Sequence, residues 1–151
     1  MRMPMEDLED SAKEELKRAD HLIYVTLKYT RTSEVIKNTI KRLISAFDYS
    51  ILEVLEYLKH KKKIKVVPTI TKLRAELLQG LLPETKYYIE FYFLLKQIDK
   101  AELKKKEEYR KNVALIAFDR KGMPLEINID TLKKYYDKTH EFIEIIDEIT
   151  R

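Results

Sequence analysis

From Thr32 to His60 the residues Ile36, Ile40, Leu43, Phe47, Ile51, Leu55 and Leu58 recur at steps of three and four, with no Gly or Pro among them. That period places them on one stripe of a helix. Val35, Ile44 and Val54 widen the stripe, so the helix is expected to be covered on two sides. At about 1.5 Å per residue it is roughly 40 Å long, and helices of that length joined by short turns pack antiparallel as bundles.

The rest of the chain supplies partners for it. Leu8, Ala12, Leu16, Ala19, Ile23 and Leu27 form a second stripe from about Met5 to Tyr29, with Glu6, Asp7, Glu9 and Asp10 in its first turns, where the helix dipole favours acids. Thr32 is positioned to cap the helix that follows, with Glu34 in its first turn. A basic loop, "KHKKKIKVVPTIT", leads to a short helix predicted over Lys72–Gln79, stopped by Gly80 and followed by the turn "LLPE". The next helix, from near Glu84, is aromatic first (Tyr87, Tyr88, Phe91, Tyr92, Phe93) and charged from Lys100 to Lys111.

After Asn112 the period changes to two. "VALIAF" and "PLEINI" read as strands of a hairpin over about residues 113–129, with Asp119 and Gly122 at the first and fourth positions of a type I turn. Asp130 is expected to cap a last helix carrying Leu132, Tyr136, Thr139, Ile143 and Ile146. Two Gly and four Pro in 151 residues leave few turns. The expected fold is therefore mainly α: one domain over residues 1–151, an up-down bundle of about five helices with a small β-hairpin before the last.

Composition removes several chemistries. With no Cys there is neither a disulfide nor a thiolate metal site. Gly80 and Gly122 stand alone, so no phosphate loop or dinucleotide fingerprint can be assembled. "YYIEFYFLL" is too short to span a bilayer and contains Glu90, and "MRMPMEDLED" turns acidic at once. A cytoplasmic protein without a signal peptide or membrane contact is expected. Abundant Lys, Glu, Ile and Tyr give a thermophile-like composition.

The stretch "AKEELKRADHLIYVTLKYTRTSEVIKNTIKRLISAFDYSILEVLEYLK" resembles the opening helix pair of HEPN domains, the higher eukaryotes and prokaryotes nucleotide-binding bundles. The resemblance implies a four- or five-helix bundle. Many such domains are metal-independent ribonucleases or toxins, and others are non-catalytic partners or nucleotide binders. Their chemistry lies in an Arg, usually with Asn, followed four to six residues later by His. Arg110 and Asn112 in "YRKNVALIAF" can take the first two places, but apolar residues fill the place of the His. Cleavage of RNA needs a base as well as a cation, so no catalytic residue is assigned.

Three side-chain groups remain. Lys59, Lys61, Lys62, Lys63 and Lys65 join Lys104, Lys105, Arg110 and Lys111 in one nucleic-acid-binding surface if the ends of the second and fourth helices meet. The alternative is a solubilising helix terminus whose lysines complement the dipole. Tyr87, Tyr88, Phe91 and Tyr92 are candidates for a protein interface, with burial in the core as the competing reading. Asp137, His140, Glu141 and Glu144 share one helical face, opposite Leu132, Tyr136, Ile143 and Ile146, and read as a charged outer face; no metal and no cofactor is expected. The function that follows is a non-enzymatic binding or scaffold module acting through a homodimer or a protein partner. An RNA-binding protein, or a ribonuclease or toxin–antitoxin component using the basic surface, is the alternative.

Overall fold

The structure is a computed structural model and describes residues 4–26, 33–100, 104–106, 114–118 and 121–151. Among these are five α-helices: α1 (Met5–His21), α2 (Ser33–His60), α3 (Thr71–Leu81), α4 (Lys86–Lys100) and α5 (Ile129–Thr150). Three short strands, β1 (Lys104–Lys106), β2 (Ala114–Phe118) and β3 (Pro124–Ile127), precede α5. They form an antiparallel sheet in the order β1-β2-β3.

α2 is the axis of the bundle. Its buried residues run from Ser33 to Leu58 and include Ile36, Leu43, Phe47, Val54 and Leu55, because α1, α3, α4 and α5 all pack on it. Side-chain contacts fix the directions. Arg42 of α2 meets Glu15 of α1, and Lys41 meets Asp99 of α4, so both neighbours run antiparallel to α2. Phe47 stacks on Phe142 with centroids 4.7 Å apart, and Thr150 reaches Glu53, so α5 runs parallel to α2.

Element ends differ from the expected ones for local reasons. The first helix widens after His21 into a π-helical turn over Leu22–Thr26. One extra residue per turn slips the apolar stripe, so Ile23 stays buried while Tyr24 and Val25 are exposed. Thr32, the expected cap of α2, lies outside the described residues. α3 passes through Gly80 and ends at Leu81. The cause is Pro83, which forces Leu82 out of the helical region, to φ −126° and ψ 83°. α5 is capped by Asn128, not Asp130: the Asn128 side chain accepts from Thr131 N–H at 2.9 Å, leaving Asp130 in the first turn.

The largest departure concerns the charged run after α4. The pattern of the sequence carries helix on to Lys111, yet α4 ends at Lys100 and Lys104–Lys106 pairs with Ala114–Ile116. The sheet thus gains a lysine-rich edge strand, a composition that blocks further edge pairing. The hairpin has the expected partners, with Leu115 opposite Ile127 and Ala117 opposite Leu125. Gly122 has φ +79°; Asp119 lies outside the described residues.

Candidate functional site

The lysine cluster is built by the end of α2. Lys63 N–H donates to Leu58 C=O and Lys62 N–H to Lys59 C=O, both at 2.9 Å, and Lys62 adopts φ +61°. This pair of bonds around a left-handed residue is the Schellman motif. Lys61, Lys62, Lys63 and Lys65 are exposed as a result, and Lys59 is half-buried. From Lys59 to Arg74 the chain carries seven Lys and Arg residues and no acid.

That basic segment frames an apolar ridge. Val67 enters the core while Val66 stays 69% exposed. Arg74 then donates through Nε to Pro68 C=O at 2.6 Å, tying the loop to α3. Ile70, Leu73, Leu77 and Leu81 follow at steps of three and four, so they share one face. Ile70 is 58% exposed, Leu73 46% and Leu81 36%, and Leu77 is partly buried. The opposite face of α3 buries Ala75 and Leu78. At the N-terminal end of α3, a cleft of about 310 Å³ is lined by Lys72, Phe93, Lys96, Gln97 and Lys100. Lys96 is held there by donation to Thr71 Oγ1 at 2.8 Å.

The expected union of two basic groups is not built at the ends of α2 and α4. α4 is antiparallel to α2, so its last turn lies beside Lys41. The 18 residues from Lys41 to Lys59 rise about 27 Å along the helix. Lys104 and Lys105 follow on β1, at most about 18 Å of chain beyond Lys100. Among the described residues, Lys104 and Lys105 therefore do not reach Lys59 at the other end of α2. Arg110, Lys111 and Asn112 lie outside the described residues.

The aromatic set divides. Phe91 and Tyr92 are buried, not available as an interface. Phe91 meets Phe47 and Tyr135 with centroids 5.9 and 5.1 Å away. Tyr92 packs on Phe47 and its hydroxyl donates to Asp48. Burial and the Asp48 carboxylate both push the Tyr92 hydroxyl well above its ordinary range, so it stays a donor. Tyr87 is the exposed member and lies under Lys138, 5.4 Å from its ring centroid. Tyr88 is half-buried and donates to Glu141 at 3.2 Å.

A charged group not anticipated from the sequence joins three helices. One carboxylate oxygen each from Glu9 of α1, Glu53 of α2 and Asp147 of α5 lies within 4.8 Å of the others. Lys13 supplies the counter-charge, 2.6 Å from Glu9 and 3.1 Å from Asp147. Burial, then the Asp147 and Glu9 charges, push Glu53 up to about 7. The signal was legible in "ILEVL", where an acid interrupts an apolar run. His140 and Glu144, on the face read as charged and outward, are exposed and pair at 3.3 Å.

Comparison of the chain with protein-family models, curated proteins and solved structures finds no match.

Proposed function

We propose that this chain is a non-enzymatic binding module that receives an amphipathic helix from a partner protein on the exposed face of α3. The carrying observation is the exposed ridge of Ile70, Leu73 and Leu81 beside a segment of seven Lys and Arg residues without an acid. A rigid apolar face is the usual seat of a partner helix with anchors at the same spacing, and positive flanks select a partner with acidic flanks. The lysine-lined cleft beside α3 suits a carboxylate of that partner. A second copy docking through this face would bring lysines toward lysines around the two-fold axis, which favours a different chain. The resemblance of the first two helices to HEPN domains, some of which are non-catalytic partners, agrees with this reading.

A labelled 18-residue helical peptide with leucines on one face and glutamates along its flanks tests the proposal by fluorescence anisotropy. Binding with Kd on the order of 1–100 µM is expected, abolished by Leu73→Glu at unchanged melting temperature. Equal binding to Leu73→Glu removes the ridge from the proposal. Sedimentation at micromolar concentration separates the homodimer: self-association lost in Leu73→Glu would make a second copy the occupant.

The RNA-directed reading rests on the lysines at the end of α2, since Lys contacts to phosphate give sequence-independent affinity that falls steeply with salt. Lys62→Glu together with Lys63→Glu then weakens RNA binding without unfolding the protein. Binding that ignores salt, or none at low salt, ends that reading.

A further inference from the structure

A second cavity lies between α1 and α2, about 25 Å along α2 from the lysine cluster by helical rise. It is a groove of about 670 Å³ lined by Lys17, Arg18 and His21 from α1 and by Lys41 and Arg42 from α2, with Asn38 and Ser45 adding polar groups. Glu14 is the acid in that lining. The volume falls in the range of small-molecule sites.

The two arginines are held by one buried carboxylate. Glu15 is 8% exposed; its Oε1 accepts from Arg18 Nη1 at 3.0 Å and its Oε2 from Arg42 Nη1 at 3.1 Å. Each guanidinium carries five N–H donors in a fixed fork, so these bonds leave donors on both forks. Lys41 is positioned in the same way, by Asp99 at 2.9 Å. The groove ends at His21 and Leu22, where α1 widens into its π-helical turn; such turns are frequent at functional sites. Four cations stand against Glu14, Glu15 and Asp99, an excess of one, with His21 as a further N–H donor.

We infer that this groove binds a phosphorylated small molecule, with Arg18 and Arg42 on a phosphoryl group and Lys17 and Lys41 on its flanks. Paired forks on a common carboxylate match the oxygen geometry of phosphate. The site is independent of the α3 ridge.

Calorimetric titration of the full chain with tripolyphosphate at low ionic strength tests the assignment. Saturable binding at one site is expected, weakened about threefold to tenfold by Lys17→Ala, which removes one exposed phosphate contact. Arg42→Lys keeps the charge but loses the fork, and is expected to weaken binding with a melting temperature near that of the parent. Lys86→Ala, at the start of α4 and about 20 Å by helical rise from Asp99, the partner of Lys41, leaves it unchanged. Absence of binding at millimolar tripolyphosphate overturns the inference. So does binding that Lys86→Ala weakens as much as Lys17→Ala, which marks diffuse attraction. A single-stranded RNA that binds more tightly than tripolyphosphate, with the same dependence on Lys17, replaces the small molecule by a nucleic-acid backbone.

Discussion

Lys62 and Gly122 sit in the same left-handed region of backbone space, at φ +61° and +79°, yet their sequences solve it in opposite ways. At Lys62 a Cβ is carried against its preference, so Lys62→Gly should raise stability by about 0.5–1 kcal/mol, read from the urea midpoint. Gly122 meets the demand without a side chain. A Cβ there meets nothing within 4 Å, so the loss in Gly122→Val is one of backbone strain, about 1–2 kcal/mol. Gly80 needs no such freedom. It lies in the last turn of α3, where an added Cβ also meets nothing within 4 Å. Gly80→Ala should therefore stabilise by about 0.5–1 kcal/mol, and thermal melting checks it.

At the scale of elements, the two faces of α3 differ in burial, and the partner contact proposed above uses only the exposed one. Ala75 and Leu78 are fully buried, and truncating Leu78 to Ala would open a cavity costing about 2–5 kcal/mol. Leu73 has no such role in the fold. Leu73→Glu is expected to change stability by less than about 0.5 kcal/mol while abolishing partner binding. Circular dichroism should therefore register the change at Leu78 and anisotropy the change at Leu73. The aromatic part of α4 shows the same division. Its five aromatic residues suit either burial or an interface by composition alone. Packing on Phe47 and Tyr135 took Phe91 and Tyr92 inward and left Tyr87 outside.

At the scale of the molecule, Glu53 lies where three helices meet, between two like charges, and makes stability depend on pH. Its folded-state value is raised from 4.5 to about 7. Below pH 4.5 the carboxyl is protonated in both states and imposes no penalty. Between 4.5 and 7 the unfolded chain ionises first, so this contribution to stability falls as pH rises, and above 7 it is constant. Glu53→Gln should remove that slope. The variant should match the parent near pH 4 and exceed it at pH 8 by on the order of 2 kcal/mol. Denaturation midpoints at the two pH values measure this; a constant difference would show that Glu53 does not titrate in the window. Lys13 acts the other way. Its hydrogen bond to Glu9 raises it above its usual range, and that support is lost only in strong alkali.

What the sequence by itself determined is the helical class, the hairpin before α5 and that α2 is covered on more than one side. Each rests on a period carried by many residues, as in the stripe from Ile36 to Leu58, where a single exception changes little. Local chemistry was legible where competitors were few, as at Gly122. It misled where neighbours in sequence competed, as between Asn128 and Asp130 for the cap and Gly80 and Pro83 for the end of α3. Only the tertiary structure decided which distant charges meet. The antiparallel course of α4 carried its end toward Lys41, away from Lys59, and the sheet took Lys104–Lys106 out of the helix expected there. The same packing set Arg18 beside Arg42 across Glu15 and Glu53 between Glu9 and Asp147. Periodicity says which face of a helix is buried. The angular setting of one helix against another, which brings residues 27 or more positions apart into contact, is fixed by packing summed over the whole core.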